Sequence, residues 1–229
     1  MEIGFAYELK TAFLIIITII FGGLTALRFS YANIFSVTYS SRSFFSLKPT
    51  EDLNTGIRLL STENLFFTLI LAGILAFGIS TLNYIVMDEP FQLVVLPNVV
   101  LTVLINWFLV LLMVGFFFLL KFFYIKLIGW LFNFPDTQSG HFQEYQSLSH
   151  AFYLFYHLLT AVFLISVLVL STSFARGMAI LLGIFLISRI FLLTVRLYAK
   201  SDFSIFYIFS YICTTELLPL ALTIGFVIN

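Results

Sequence analysis

The sequence LVVLPNVVLTVLINWFLVLLMVGFFFLL occupies residues 93–120 and contains no charged side chain in 28 positions. An α-helix rises about 1.5 Å per residue, so that ~20 apolar residues cross the hydrocarbon core of a bilayer. The run is therefore typical of a membrane-spanning helix, with a surplus that tilt or an interfacial extension would absorb. Pro97, near its start, is expected in the first turn or at a kink, because proline lacks the backbone N–H that a helix interior needs.

Five further apolar runs flank this segment. They cover residues 11–27, 64–87, 148–170, 177–197 and 203–227. The chain of 229 residues is 61% hydrophobic and 10% charged, whereas an ordinary soluble domain is about 45–50% apolar and ~25% charged. The sequence therefore predicts an all-α fold, a polytopic transmembrane helix bundle of about six spanning helices, which forms a single membrane domain over residues 1–229.

Two polar connections are long enough to hold structure outside the bilayer. Residues 28–63 are rich in serine and aromatic side chains, which favours short interfacial helices in this first loop. Residues 121–147 contain a Pro-Asp turn signal and predict a second loop. Eight lysines and arginines lie on the side of the membrane that holds these two loops and the connection near residue 200, against only Lys10 and Arg176 on the other side. Since cytoplasmic loops carry the basic excess, we predict that both loops are cytoplasmic and that both termini face out.

Charge and cysteine content exclude several classes of protein. The 11 basic and 11 acidic residues are scattered singly, so no basic face is available to follow a nucleic-acid backbone. Cys213 is the only cysteine, which excludes an intrachain disulfide and a zinc site built from two cysteine pairs. No phosphate loop, dinucleotide fingerprint, nucleophile elbow or HExxH motif occurs. The sequence predicts no metal and no cofactor, and it leans away from an enzyme.

Three ionisable residues lie inside the predicted spans: His157, Arg189 and Glu216. Such residues are functional candidates, because a charge at the bilayer centre costs roughly 2.5–3.5 kcal/mol even on the permissive insertion scale. Helix register places the three at similar depth, so we expect them to form an intramembrane polar cluster. One interpretation is a buried ion pair that fixes helix packing, and the other is a proton relay or substrate site. Pro219 is expected to kink the last span beside this cluster.

One short motif is similar to that of a known family. It is Tyr-Ile-Cys-Thr-Thr-Glu-Leu-Leu-Pro, at residues 211–219. It resembles the C-terminal Tyr-x-Cys-x-x-Glu-x-x-Pro pattern of an uncharacterised integral membrane family of Bacteroidota, catalogued as a domain of unknown function. The similarity extends from about residue 42 to the end and includes the pair Gly129 and Trp130. The resemblance implies the inner, cytoplasmic membrane of a Gram-negative bacterium, and it brings no established activity and no catalytic residues. In such a membrane, the outward-facing termini predicted from the charge count would be periplasmic.

Three classes of function remain at this stage. The first is a non-enzymatic scaffold or accessory subunit of an envelope complex, which would meet a protein partner through residues 28–63. The second is a small proton-coupled transporter or permease that uses the cluster of His157, Arg189 and Glu216, and the third is a membrane enzyme. In every case the lipid bilayer is the main contact, and assembly into a homo-oligomer is left open.

Overall fold

A computed structural model describes residues 3–39, 62–86, 90–132, 137–166, 172–200 and 205–217. These residues form seven α-helices and a π-helical turn. The helices are α1 (Ile3–Ser30), α2 (Ala32–Thr38), α3 (Thr62–Val86), α4 (Val99–Leu131), α5 (Thr137–Ser166), α6 (Thr172–Lys200) and α7 (Ile205–Ile212), and the π-helical turn is Cys213–Leu217.

Five of the helices, α1, α3, α4, α5 and α6, are long and apolar enough to cross a membrane. A shorter apolar helix, Ile205–Leu217, lies at the start of the sixth predicted span, and the rest of that span is outside the described residues. The prediction of an all-α, polytopic membrane bundle is therefore confirmed. Apolar side chains on the outside of these helices are suited to contact lipid rather than water.

Helices α3 and α5 form the middle of the bundle. Helix α3 packs against α1, α4, α5 and α6. The most apolar part of α3 is 56% buried and that of α5 is 67% buried, against 28% for α4 and 22% for α6. The central pair is therefore the most buried of the spanning helices, and α4 and α6 present most of their surface outward.

Small side chains let α3 approach its neighbours closely. Ala72, Ala76 and Ser80 are spaced by four, which places them on one face of the helix, and all three are buried. On the side towards α4, the indole N–H of Trp107 donates to the carbonyl of Gly73 at 3.2 Å. Small residues at such contacts allow the backbones of membrane helices to come together.

The predicted loop at 121–147 is helical over most of its length. Helix α4 continues to Leu131, and α5 begins at Thr137. The sequence prediction ended the span at Lys121 because of its charge. The chain beyond Lys121 is nevertheless largely apolar up to Leu131, so the helix continues and α4 reaches 33 residues.

Pro97 neither kinks α4 nor lies in its first turn. The helix begins at Val99, with Asn98 as its N-cap, and the Asn98 side chain accepts a hydrogen bond from the N–H of Leu101. Residues 90–98 are not helical. The prediction that Pro97 is a kink was wrong because the side-chain cap starts the helix after the proline.

One short helix, α2, lies within the predicted first loop. Residues 40–61, which complete that prediction, are outside the described residues. Tyr39 follows α2, and its hydroxyl is 2.9 Å from Nδ1 of His150 on α5. Its ring contacts the rings of Phe35 and Phe67. The end of α2 is therefore attached to the bundle.

Candidate functional site: the Glu216 cluster

The carboxylate of Glu216 lies among three basic side chains. Lys121 Nζ is 2.9 Å from Oε1, and His141 Nε2 is 3.5 Å from the same oxygen. Arg189 Nη2 is 3.5 Å from Oε2. All four residues are buried, and we call them the Glu216 cluster. The Lys121 distance is that of a direct ion pair, whereas 3.5 Å is longer than an ordinary charge-assisted hydrogen bond.

Four elements of the bundle supply this cluster. Lys121 belongs to α4, His141 to α5, Arg189 to α6, and Glu216 to the π-helical turn. In a helix, residues four apart lie on one face. The face of α5 that begins at His141 continues with Tyr145, Ser149 and Tyr153, and all four side chains are buried.

The guanidinium of Arg189 lies against this face of α5. Its Nη1 donates hydrogen bonds to the hydroxyl oxygens of Ser149 and Tyr153, each at 3.2 Å. Its Cζ is 4.6 Å from the centre of the Tyr145 ring, a distance suited to a cation–π interaction. Arg189 therefore has neutral hydroxyl and aromatic partners in addition to Glu216.

The π-helical turn exposes backbone oxygens to α4. The ammonium of Lys121 donates to the carbonyl of Thr215, and the hydroxyl of Tyr124 donates to the carbonyl of Thr214 at 2.9 Å. A π-helical turn is rare, and it is frequent at functional sites. Here α4 stabilises the turn that carries Glu216, through one charged and one neutral donor.

His141 links Glu216 to the end of α7. Its Nδ1 is 2.7 Å from the hydroxyl of Tyr211. His141 precedes the spanning part of α5, Glu144–Leu164, by three residues. Burial lowers the pKa of His141 below its ordinary value, and the neighbouring Glu216 opposes that shift. A neutral ring with its proton on Nε2 would face Glu216 and would accept a hydrogen bond from Tyr211 at Nδ1.

A second ion pair joins α5 and α6 close to the cluster. Arg196 Nη1 donates to Oε2 of Glu144 at 2.9 Å, and both side chains are buried. Glu144 lies three residues after His141, and Arg196 lies seven residues after Arg189, so each pair of neighbours shares a helix face. Helices α5 and α6 are therefore joined at two successive levels, by the hydrogen bonds of Arg189 to Ser149 and Tyr153 and by the ion pair of Arg196 and Glu144.

The Glu216 cluster lies towards one end of the bundle. On α4, Lys121 precedes the exposed Lys126 by five residues, which is about 7.5 Å along the axis. His141 lies before the spanning part of α5. An exposed lysine marks a level where its ammonium can reach water or headgroups. The Glu216 cluster thus lies within about two helical turns of the level of Lys126.

Of the three residues that the sequence singled out, the structure brings Arg189 and Glu216 together and places His157 elsewhere. The ring of His157 contacts Phe21 of α1 and Phe77 of α3, at centroid distances of 5.5 and 4.9 Å. His157 follows His141 by 16 residues, a rotation of about 160° and a rise of ~24 Å. It therefore faces the other side of α5. Pro219 is outside the described residues.

Lys121 and His141 were missed because the sequence prediction assigned both to a loop. A signal was present for Lys121, since apolar residues continue on both sides of it, from Leu120 to Ile125. His141 follows a polar stretch and carries no comparable signal. A basic residue inside a continuous apolar run is better interpreted as a buried partner for a carboxylate than as the end of a span.

The chemistry of the cluster favours anions over metals. Lysine and arginine are hydrogen-bond donors without a lone pair for a metal at neutral pH. Among the described residues, no group of three histidine, cysteine, aspartate or glutamate side chains comes together. In this arrangement one carboxylate lies between two cations, and an imidazole lies beside it.

Comparison with known proteins found no match among curated proteins and none among solved structures. One family model matches, and it covers residues 12–227, nearly the whole chain. The resemblance to a family of unknown function is thereby confirmed. The chain belongs to the family described as Domain of unknown function (DUF4271).

Proposed function

We propose that this protein is a non-enzymatic scaffold or accessory subunit of a membrane complex, with the Glu216 cluster as the clamp that holds its helices together. The observation that carries the proposal is that the buried ion pairs connect different helices. Glu216 contacts Lys121 and Arg189, and Arg196 contacts Glu144. These contacts are made between α4, α5, α6 and the last turn, which is what fixing the packing of a bundle requires.

The position of the cluster also supports a clamp. Transporters with broken helices bind substrate near the bilayer midplane. The Glu216 cluster instead lies within about two helical turns of the level of the exposed Lys126. A clamp works at any depth, whereas alternating access needs a site that both sides reach.

We further propose that this surface is the cytoplasmic one of an inner membrane, that both termini are periplasmic, and that residues 28–63 meet the protein partner. Arg28 and the start of α2 are exposed. The contact between Tyr39 and His150 attaches this region to α5. A partner held by residues 28–63 would therefore be connected mechanically to the clamped helices.

The test is purification of the tagged full chain from its native membrane in a mild detergent. A partner protein in fixed stoichiometry is expected. Tyr39→Phe removes the hydroxyl that contacts His150 and should lower the retained partner, whereas Tyr7→Phe, at an exposed position on α1, should not. A wild-type chain that elutes alone as a homo-oligomer contradicts the proposal.

A second candidate, a small proton-coupled transporter, is favoured by one specific observation. The carboxylate at the π-helical turn has an imidazole at 3.5 Å and a lysine at 2.9 Å, so three groups able to carry a proton adjoin one another. Neighbouring acids and bases of this kind form the proton relays of membrane pumps.

Proton flux into liposomes distinguishes the two candidates. Reconstituted wild-type protein with an entrapped pH-sensitive dye should show flux above empty liposomes only if the protein transports protons. Glu216→Gln would then abolish the flux, and Glu8→Gln, at an exposed position on α1, would leave it unchanged. Equal and negligible flux for all three proteins is the result that the scaffold proposal expects.

A further inference from the structure

The segment between α3 and α4 has an extended backbone whose polar groups are bound by side chains. Asn106 Oδ1 accepts hydrogen bonds from the N–H groups of Leu93 and Val94, at 2.7 and 3.1 Å. Asn106 Nδ2 donates to the carbonyl of Val94 at 2.6 Å. One buried asparagine on α4 thus satisfies three backbone groups of the segment.

Two more side chains continue this pattern. The N–H of Leu96 donates to the hydroxyl of Thr102, which also lies 3.1 Å from the carbonyl of Leu96. The side chain of Asn83 on α3 accepts from the N–H of Phe91 and donates to its carbonyl, at 3.0 and 2.8 Å. The segment is therefore fixed to both flanking helices.

These contacts determine where the segment runs. Asn106 lies eight residues after the N-cap Asn98, which is about 12 Å down the axis of α4. Because Val94 is bound at the level of Asn106, residues 94–98 must pass back along the first two turns of α4. The chain goes into the bundle beside α4 and comes out again before the helix starts.

The side chains of the segment alternate, as in a β-strand. Phe91, Leu93 and Val95 are exposed by 70, 46 and 74%, whereas Gln92, Val94 and Leu96 are partly buried. The exposed edge is entirely apolar. The two flanking helices also expose apolar side chains, such as Ile79 on α3 and Phe108 on α4.

We infer that residues 91–97 form a re-entrant arm within the bilayer, and that the edge formed by Phe91, Leu93 and Val95 contacts lipid acyl chains of the leaflet opposite the Glu216 cluster. Hydrocarbon offers no hydrogen bonds, so irregular backbone is tolerated there only when protein satisfies its polar groups. Asn83, Thr102 and Asn106 bind seven of these backbone groups here, on Phe91, Leu93, Val94 and Leu96. A loop in water would need none of these contacts, and it would expose three large apolar side chains at a cost.

Spin labels test the depth of the arm. Leu93→Cys and Val95→Cys would be made in the full chain with Cys213→Ala, labelled with a nitroxide, and reconstituted in liposomes. Phe108→Cys serves as the lipid reference. Arg176→Cys serves as the water reference, because Arg176 is exposed near the start of α6, in a connection predicted from the sequence. Collisions with the anionic complex chromium oxalate should be about ten-fold rarer at 93 and 95 than at 176, because anions are excluded from hydrocarbon.

The contacts of Asn106 give a second, independent test. Asn106→Leu removes the three hydrogen bonds to Leu93 and Val94, so the arm should leave the bilayer and the chromium oxalate collisions at a label on residue 95 should rise towards those at 176. Asn33→Leu, the same change at an exposed position of α2, should have no effect. Labels at 93 and 95 in the otherwise native chain that are as accessible to chromium oxalate as the label at 176 would overturn the inference.

Discussion

At the scale of single residues, Glu216 carries the largest electrostatic consequence. Its single carboxylate lies between the cations of Lys121 and Arg189, and all three side chains are at least 90% buried. Removing one member of a buried ion pair leaves a desolvated charge without compensation, which costs about 3–5 kcal/mol. We therefore expect Glu216→Gln to lower the free energy of unfolding by this amount, measured by thermal unfolding in detergent.

The control for this prediction removes the charge on both sides. In Glu216→Gln with Lys121→Met, the lysine that approaches the carboxylate most closely is gone, while Arg189 keeps Ser149 and Tyr153 as partners. Replacing both members of a buried pair is often neutral. The double variant should recover more than half of the lost stability, and equal losses in the single and double variants would show that the pair is not coupled.

In contrast to replacement of Glu216, replacement of His157 is expected not to destabilise the protein. Its side chain is completely buried, and neither ring nitrogen makes a hydrogen bond to any described residue. A buried polar group without a partner costs roughly 1–3 kcal/mol. His157→Leu should therefore maintain or raise the thermal midpoint, by removing that cost while keeping the contacts with Phe21 and Phe77. A loss as large as that of Glu216→Gln would mean that His157 has a partner outside the described residues.

At the scale of helices, the close contact between α3 and α5 depends on Gly78. A Cβ added there would lie 3.0 Å from Cε1 of Tyr156, whereas a Cβ at Gly115 would meet nothing within 4 Å. Tyr156 is itself buried, so it has little room to move. Gly78→Ala should destabilise the protein by about 1–3 kcal/mol through overpacking, and Gly115→Ala should leave the thermal midpoint unchanged. Equal effects would mean that α3 and α5 can separate slightly without cost.

The helices themselves were largely predictable, because long apolar runs leave few alternatives to spanning helices. The rotation of each helix about its own axis was not predictable from the sequence. Depth along a helix follows from residue counting, which brought Arg189 and Glu216 together, but which face of α5 turns towards α6 depends on packing that a single sequence does not reveal. His157 was expected beside Glu216, but both its depth and its face were wrong, because α5 begins at Thr137 rather than at residue 148 and because its rotation is set by packing. The start of α4 was misplaced for a related reason, since nothing local shows that Asn106 binds the backbone of Leu93.

At the scale of the whole molecule, the structure changes the count of basic residues that orients the protein. Lys121 and Arg196 are buried in ion pairs, so they no longer belong to the connections. Six basic residues then remain on the side of the cluster, against Lys10 and Arg176 on the other. The excess of basic residues is smaller but has the same direction, and it still favours the proposed orientation, in which the Glu216 cluster is on the cytoplasmic side and the arm on the outer side.

This orientation predicts the behaviour of two reporter fusions. The six crossings predicted from the sequence would place residue 229 on the same, outer side as residue 3, so alkaline phosphatase fused after residue 229 should be active. The same enzyme fused after Phe132, at the end of α4, should be inactive, because it would remain with the basic connections in the cytoplasm. Expression of both fusions is checked by immunoblot. An active fusion at 132 with an inactive one at 229 would reverse the bundle, and inactivity at both sites would mean that the last helix does not cross the membrane.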